Sequence, residues 1–301
     1  DALPICMSET RQDDYRVWSR MVLTRMGYRA VIPLTEVLNS DDGRLVASTA
    51  TILADIGDAR ALPKLQQLAR DPATDATVAQ VVRNAVGTIA ATAGVVDMSD
   101  PALLYFQEAR RYFRDGEQVR DERIANERLV WRWDAGAEPR LQGTVVPGYA
   151  WNELVAEELL FDGLRHFRDF TAYHPLLAAT LAAQDVEANL RLRLAAERVA
   201  TDPRPDLSEA ALRERVEALQ EIVHRVEMVG PVHLYRAVQQ AIVSERYDVA
   251  TYLMQVLQDR WTADARAFLP HKEDGLVAGK PGTVLVAALD HPEKRVRYHA
   301  A

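Results

Sequence analysis

Ala30-Val31-Ile32-Pro33-Leu34-Thr35-Glu36-Val37-Leu38-Asn39-Ser40-Asp41-Asp42-Gly43-Arg44-Leu45-Val46-Ala47-Ser48-Thr49-Ala50-Thr51-Ile52-Leu53-Ala54-Asp55-Ile56-Gly57 decides the fold. Val31, Leu34 and Leu38 fall at i, i+3 and i+7, one face of a helix. Val46, Ala50, Leu53 and Ile56 mark the same face of a second helix. The polar run Asn39 to Gly43 makes the turn between them, and Gly57 suits a left-handed helix stop. Ala47, Ser48 and Ala50 are small enough to let neighbouring helices approach closely.

The pattern then returns. Ala61-Leu62-Pro63-Lys64-Leu65 and Leu68-Ala69 open a helix, Asp71-Pro72 turns, and a second helix ends between Ile89 and Gly94. Pro33 and Pro63 lie 30 residues apart, and Gly57 and Gly94 lie 37 apart. Both prolines are expected in a first helical turn, where the missing N–H costs no hydrogen bond. The fragment Thr283 to Ala301 begins the unit again. A single hairpin cannot bury both of its faces, so such units stack and share a core. The expected fold is all-α: a solenoid, or α-α superhelix, of stacked helical hairpins.

The pattern resembles HEAT repeats, in particular the short bacterial kind first named from phycobilisome lyases. Leu285-Val286-Ala287-Ala288-Leu289-Asp290-His291-Pro292, followed by Val296-Arg297-Tyr298-His299-Ala300-Ala301, is similar to the family's apolar helix, Asp-Pro-like turn and Val-Arg small-residue helix. The unit at 28–57 fits the pattern. The unit at 58–94 departs from it by about seven extra residues near Asp71 to Thr77, against the usual repeat length. The resemblance spans roughly a third of the chain and implies a fold far more than a function.

Composition sets bounds. A chain of 301 residues with 48% apolar residues can bury a large core. Formal charge is 36 − 44 = −8, which argues against general binding to nucleic acid or anionic membrane. Cys6 is the single cysteine, so no internal disulfide or thiolate metal cluster can form. No apolar run is long enough to span a bilayer. The chain starts at Asp1, which leaves its compartment open. It stops at Ala301 in mid-helix of a repeat, which leads us to expect further repeats beyond.

The order of elements predicts three regions: HEAT-like repeats over 1–98, a helical middle region over 99–270, and a linker with the start of a further repeat over 271–301. Glu9 to Met26 reads as a helix that caps the array. Ser99 or Asp100 is the expected cap of a helix that packs Leu104, Phe106, Ala109 and Phe113, with Pro101 in its first turn. That helix's Tyr112-Phe113-Arg114-Asp115-Gly116 ending resembles a tetratricopeptide unit. Residues 129–149 break the helical period. Leu129-Val130-Trp131-Arg132-Trp133 alternates, a turn-rich gap follows, and Pro147-Gly148 closes it, so one irregular or short β-hairpin insertion is expected there. Helices resume at Trp151, at His174-Pro175, at Val186, after Ser208, after Gly230-Pro231 and at Arg246. Thr201 to Pro205 and Pro270 to Gly282 read as linkers.

Catalytic chemistry leaves little mark. Glu221 and His224 share a helix face, but a di-iron bundle needs a second such pair. None of the seven histidines has zinc spacing. Gly275 to Gly282 lacks phosphate-loop spacing, and Pro281 stands where a magnesium-binding Ser or Thr belongs. We therefore expect no catalytic residue, cofactor or metal. The densest aromatic group is Trp131, Arg132, Trp133, Tyr149 and Trp151. Tryptophan and arginine favour binding hot spots, whereas large rings under an insertion also serve as core. The expected function is a non-enzymatic scaffold or adaptor that binds a protein or peptide on the solenoid surface. The alternative is a HEAT-like enzyme of the DNA-glycosylase or bilin-lyase kind.

Overall fold

The computed structural model describes residues 13–96, 100–197, 208–261 and 284–300. The expectations placed on Cys6, on the two linkers and on Ala301 lie outside the described residues. The fold is all-α, with one two-stranded sheet among the described residues, and the chain divides into two compact units: Asp1–Glu108 with Glu117–Val146, and Ala109–Gly116 with Pro147–Ala301. This division differs from the boundaries at 98 and 270 read from the sequence. The β-hairpin packs on a helix of the first hairpin, so it belongs to the N-terminal unit.

The first unit begins with α1 (Asp13–Met26), α2 (Tyr28–Val37) and α3 (Gly43–Ile56), then a 3-10 turn at Ala59–Ala61. It continues with α4 (Leu62–Arg70), α5 (Ala76–Ala93), the start of α6 (Pro101–Arg114) and α7 (Glu117–Ala125). Local chemistry sets these limits. The Asp42 carboxylate accepts from the N–H groups of Arg44 (2.9 Å) and Leu45 (3.3 Å), and Asp75 does the same for Thr77 and Val78. Gly57 and Gly94 end α3 and α5 at φ 74° and 68°, a region an L side chain enters only with strain. Asp100 caps α6 through the N–H of Ala102.

Pro63 occupies the first turn of α4, but Pro33 lies inside α2. Gly27, at φ 60°, breaks the helix for one residue, so α2 starts at Tyr28, ahead of the apolar run. Pro33 thus removes one internal N–H donor, which a first-turn proline does not. The core of this unit joins Ala30, Val31 and Leu34 of α2, Val46, Ala50 and Leu53 of α3, Leu62 and Leu65 of α4, and Val82, Val86 and Ile89 of α5.

The hairpin pairs β1 (Leu129–Trp133) antiparallel with β2 (Leu141–Val145), with Trp131 opposite Gly143 and Trp133 opposite Leu141. Side chains alternate across a strand, so both tryptophans share one face. They pack on Val37, Leu45 and Leu141.

The second unit contains the end of α6 and then α8 (Trp151–His166), α9 (Tyr173–Glu197) and α10 (Glu209–Met228). It ends with α11 (Pro231–Val243), α12 (Tyr247–Trp261), α13 (Val284–Leu289) and α14 (Lys294–Ala300). Ser208 caps α10 by accepting from Ala211, and Pro231 opens α11 after Gly230. α9 is one helix of 25 residues where the sequence suggests a restart at Val186. No Gly or Pro interrupts 176–197, so the change in apolar phase there rotates the buried face without breaking the helix.

α9 is central because its first half is apolar on every side. Leu176, Ala178, Ala179, Leu181, Ala182 and Ala183 are all buried, the pattern of a helix surrounded by others. It packs against α8, α10, α11 and α12, and the alanines allow the close approach.

Candidate functional site

The second half of α9 carries three polar or apolar stripes, each read at helical spacing. Asp185, Asn189 and Arg193 form one; Val186, Leu190 and Leu194 form the next, about 100° further round. Gln184, Glu187 and Arg191 lie on the other side. The first two stripes floor an open groove of about 850 Å³ within the second unit. Asp248, Thr251, Tyr252 and Gln255 of α12 and Arg295 and His299 of α14 complete its lining.

Asp185 is the most enclosed charge on this surface, at 6% exposure. Its carboxylate accepts from the Asn189 side-chain amide at 2.8 Å, and the same amide donates to the Asp185 carbonyl at 3.0 Å. Burial pushes the Asp185 carboxyl above its usual value, and the Asn189 bond opposes that only in part. Among the described residues no cation pairs with Asp185, and no carboxylate pairs with Arg193. Across the groove Arg295 bonds Asp248 at 2.6 Å and Glu293 at 3.3 Å, with both members of the first pair exposed. The lining therefore holds two carboxylates, two guanidiniums and one imidazole beside an apolar strip.

The opposite stripe of α9 enters a polar network that holds the unit together. Arg246, just before α12, donates to the Phe113 carbonyl at 2.7 Å and to Glu153 at 2.9 Å, and lies 3.6 Å from Glu187. Its guanidinium also sits 5.3 Å from the Phe113 ring centroid. Burial raises the Glu153 carboxyl, Arg246 opposes this, and Glu187 adds to it; the net direction is upward. Burial lowers Arg246, but Glu153, Glu187 and Asp115 outweigh it, so the guanidinium is held charged more firmly than usual. Nearby, Gln184 donates to Glu157 at 2.6 Å and accepts from Arg215 at 3.1 Å.

The sequence-derived aromatic candidates separate on this map. Trp131, Arg132 and Trp133 belong to the first unit, Tyr149 and Trp151 to the second. Trp151 is 0% exposed and meets Tyr112 edge-on at 5.7 Å, so it is core and is withdrawn from the surface group. A large ring at the head of α8 gains more from burial than from waiting for a partner. Trp131 and Trp133 are half-buried on the apolar cluster that seats the hairpin, Arg132 is exposed, and Tyr149 is half-buried with Arg191 over its ring. Glu221 and His224 are both exposed on α10. The groove residues themselves escaped the sequence reading, although the 185/189/193 spacing was there to find.

Among the described residues no three His, Cys, Asp or Glu side chains gather in a metal-holding group, and no helix is long and apolar enough to cross a membrane. Compared with protein-family models, curated proteins and solved structures, the chain matches none.

Proposed function

We propose that this chain is a non-enzymatic, HEAT-like helical-repeat module whose C-terminal unit holds an extended segment of a protein partner in the α9–α12–α14 groove. The groove itself is the observation that carries the reading. A polar stripe beside an apolar stripe suits a peptide, which offers backbone polar groups and alternate side chains together. The lining from Asp185 to Leu194 runs about 14 Å along the helix axis, the span of about four extended residues. Its charges balance, which disfavours a phosphate backbone, since that demands a surplus of cations.

Within the groove the enzyme alternative rests on the desolvated Asp185, because perturbed carboxyls cluster at catalytic sites. Its hydrogen-bond partner is a neutral amide, not a second titrating group that would complete an acid–base pair. Binding is therefore the better-supported role.

Selection of a displayed random-peptide library on the full 301-residue chain tests the proposal. Gln255 lines the groove and is exposed, so Gln255→Trp fills the space without disturbing the core. Peptides that bind the wild type with micromolar Kd and lose about tenfold or more on Gln255→Trp support it. Peptides that bind both proteins equally, or no enrichment at all, overturn it.

A further inference from the structure

The groove also carries an arrangement of charge that specifies what a bound peptide must present. Asp185 is more than nine-tenths buried, lines the groove and has no cation partner among the described residues. A desolvated carboxylate in that position is unfavourable by itself and is compensated when a hydrogen-bonding cation reaches it. Arg193, eight residues on, lies exposed on the same stripe. Eight residues of helix advance about 12 Å. An extended peptide advances about 3.3 Å per residue, so this gap matches about four peptide residues. Side chains four apart on an extended chain point to the same side. Midway, both recorded Asn189 amide bonds go to Asp185, which leaves the Asn189 carbonyl oxygen as an acceptor for a peptide N–H. Val186, Leu190 and Leu194 run alongside as an apolar track for the residues between.

We propose that the groove selects an extended peptide with a lysine or arginine seated on Asp185 and, four residues away, an aspartate or glutamate seated on Arg193. This rests on the groove being the binding surface. The rule is stated by spacing, so it holds for either direction of the peptide chain.

Arrays of short peptides on cellulose, probed with the full chain, test this. They should carry opposite charges spaced three, four or five apart, like charges spaced four apart, and uncharged versions. The expected result is a preference for opposite charges at spacing four. Asp185→Asn should abolish the demand for a base and weaken such peptides about tenfold or more, as loss of a hydrogen bond to a charged group does. Arg193→Glu should turn the demand for an acid into one for a base. Thermal unfolding provides a readout that a structural role for Asp185 would move the other way: Asp185→Asn should leave Tm unchanged or raise it while affinity falls. Loss of both Tm and affinity would overturn the proposal. So would peptides that bind, and are lost on Gln255→Trp, without any charge preference; that result leaves the groove reading standing. If no peptide binds the wild type, the groove reading fails and this rule fails with it.

Discussion

Replacing Arg246 with Met gives the sharpest test of how the second unit is held. The substitution keeps an apolar stem and removes the guanidinium. It strands Glu153, whose side chain is only 1% exposed, and it frees the Phe113 carbonyl. Breaking one side of a buried ion pair costs about 3–5 kcal/mol, because the remaining charge has no compensation. Glu187 is less affected, being more exposed and close to Arg191. At about 2–4 °C per kcal/mol for a unit of this size, the expected drop in its Tm is about 10 °C. The double variant Arg246→Met/Glu153→Leu should recover to within about 1 kcal/mol of wild type, since a well-packed apolar pair can replace a buried ion pair. The pH dependence follows from sign. In Arg246→Met only a backbone N–H bond still opposes the burial that raises Glu153, so its folded pKa exceeds its unfolded one still further. The folded state then binds the proton first, and the deficit shrinks as pH falls from 7 towards 5. Urea unfolding followed by circular dichroism at both pH values measures this. A deficit under about 1 kcal/mol, against the range given above, or one that does not change with pH, would refute the argument.

Other positions give simpler tests. Gly143→Val would drive a side chain into the Trp131 ring, which already lies 2.9 Å from where a Cβ would stand; overpacking of this kind costs about 1–3 kcal/mol and should shift tryptophan fluorescence as the hairpin loosens. Gly163→Ala would set a methyl 2.5 Å from the buried Tyr173 ring, and calorimetry should show the second unit melting earlier by several degrees. Gly57→Ala meets two penalties at once, a φ of 74° and the Thr92 methyl at 2.9 Å, so it should cost the first unit more than the roughly 1 kcal/mol of backbone strain alone. Asp185 is raised in the fold, so its ionisation subtracts stability as pH climbs from the ordinary carboxylate value to the raised one. The stability gap between Asp185→Asn and wild type should therefore widen over that window in a pH series of thermal melts and stay level above it.

What could be read from the sequence was mostly local. Asp100, Ser208, Gly57 and Gly94 act within a few residues of where they stand, and each end they set appears in the structure, whereas the Asp42 and Asp75 caps were not singled out. The β-hairpin was legible for the same reason: alternation, turn and closing Pro-Gly are neighbours. Pro33 was misplaced because the deciding residue was Gly27, whose positive φ starts α2 earlier than its apolar run suggests. The restart at Val186 was misread because a rotating buried face and a broken helix look alike along the chain. Trp151 was grouped with Trp131 by proximity in sequence, yet its ring packs with Tyr112, on a different element. The groove was the least legible part. Its lining comes from 185–194, 248–255 and 295–299, and only folding brings those segments to one surface.

Arg246 has a further consequence, for the order in which the second unit assembles. It closes onto Glu153 and the Phe113 carbonyl, 93 and 133 residues earlier in the chain. During synthesis at about 5–20 residues per second, Glu153 leaves the ribosome about 5–19 s before its counter-ion does. Throughout that interval a charged carboxylate must stay hydrated, and α8 cannot bury that face in its final form. Docking of α12 therefore follows, and it brings the counter-ion that lets Glu153 be buried. Contacts of such separation slow folding. The same arginine that secures the finished unit thus also sets when that unit can be finished.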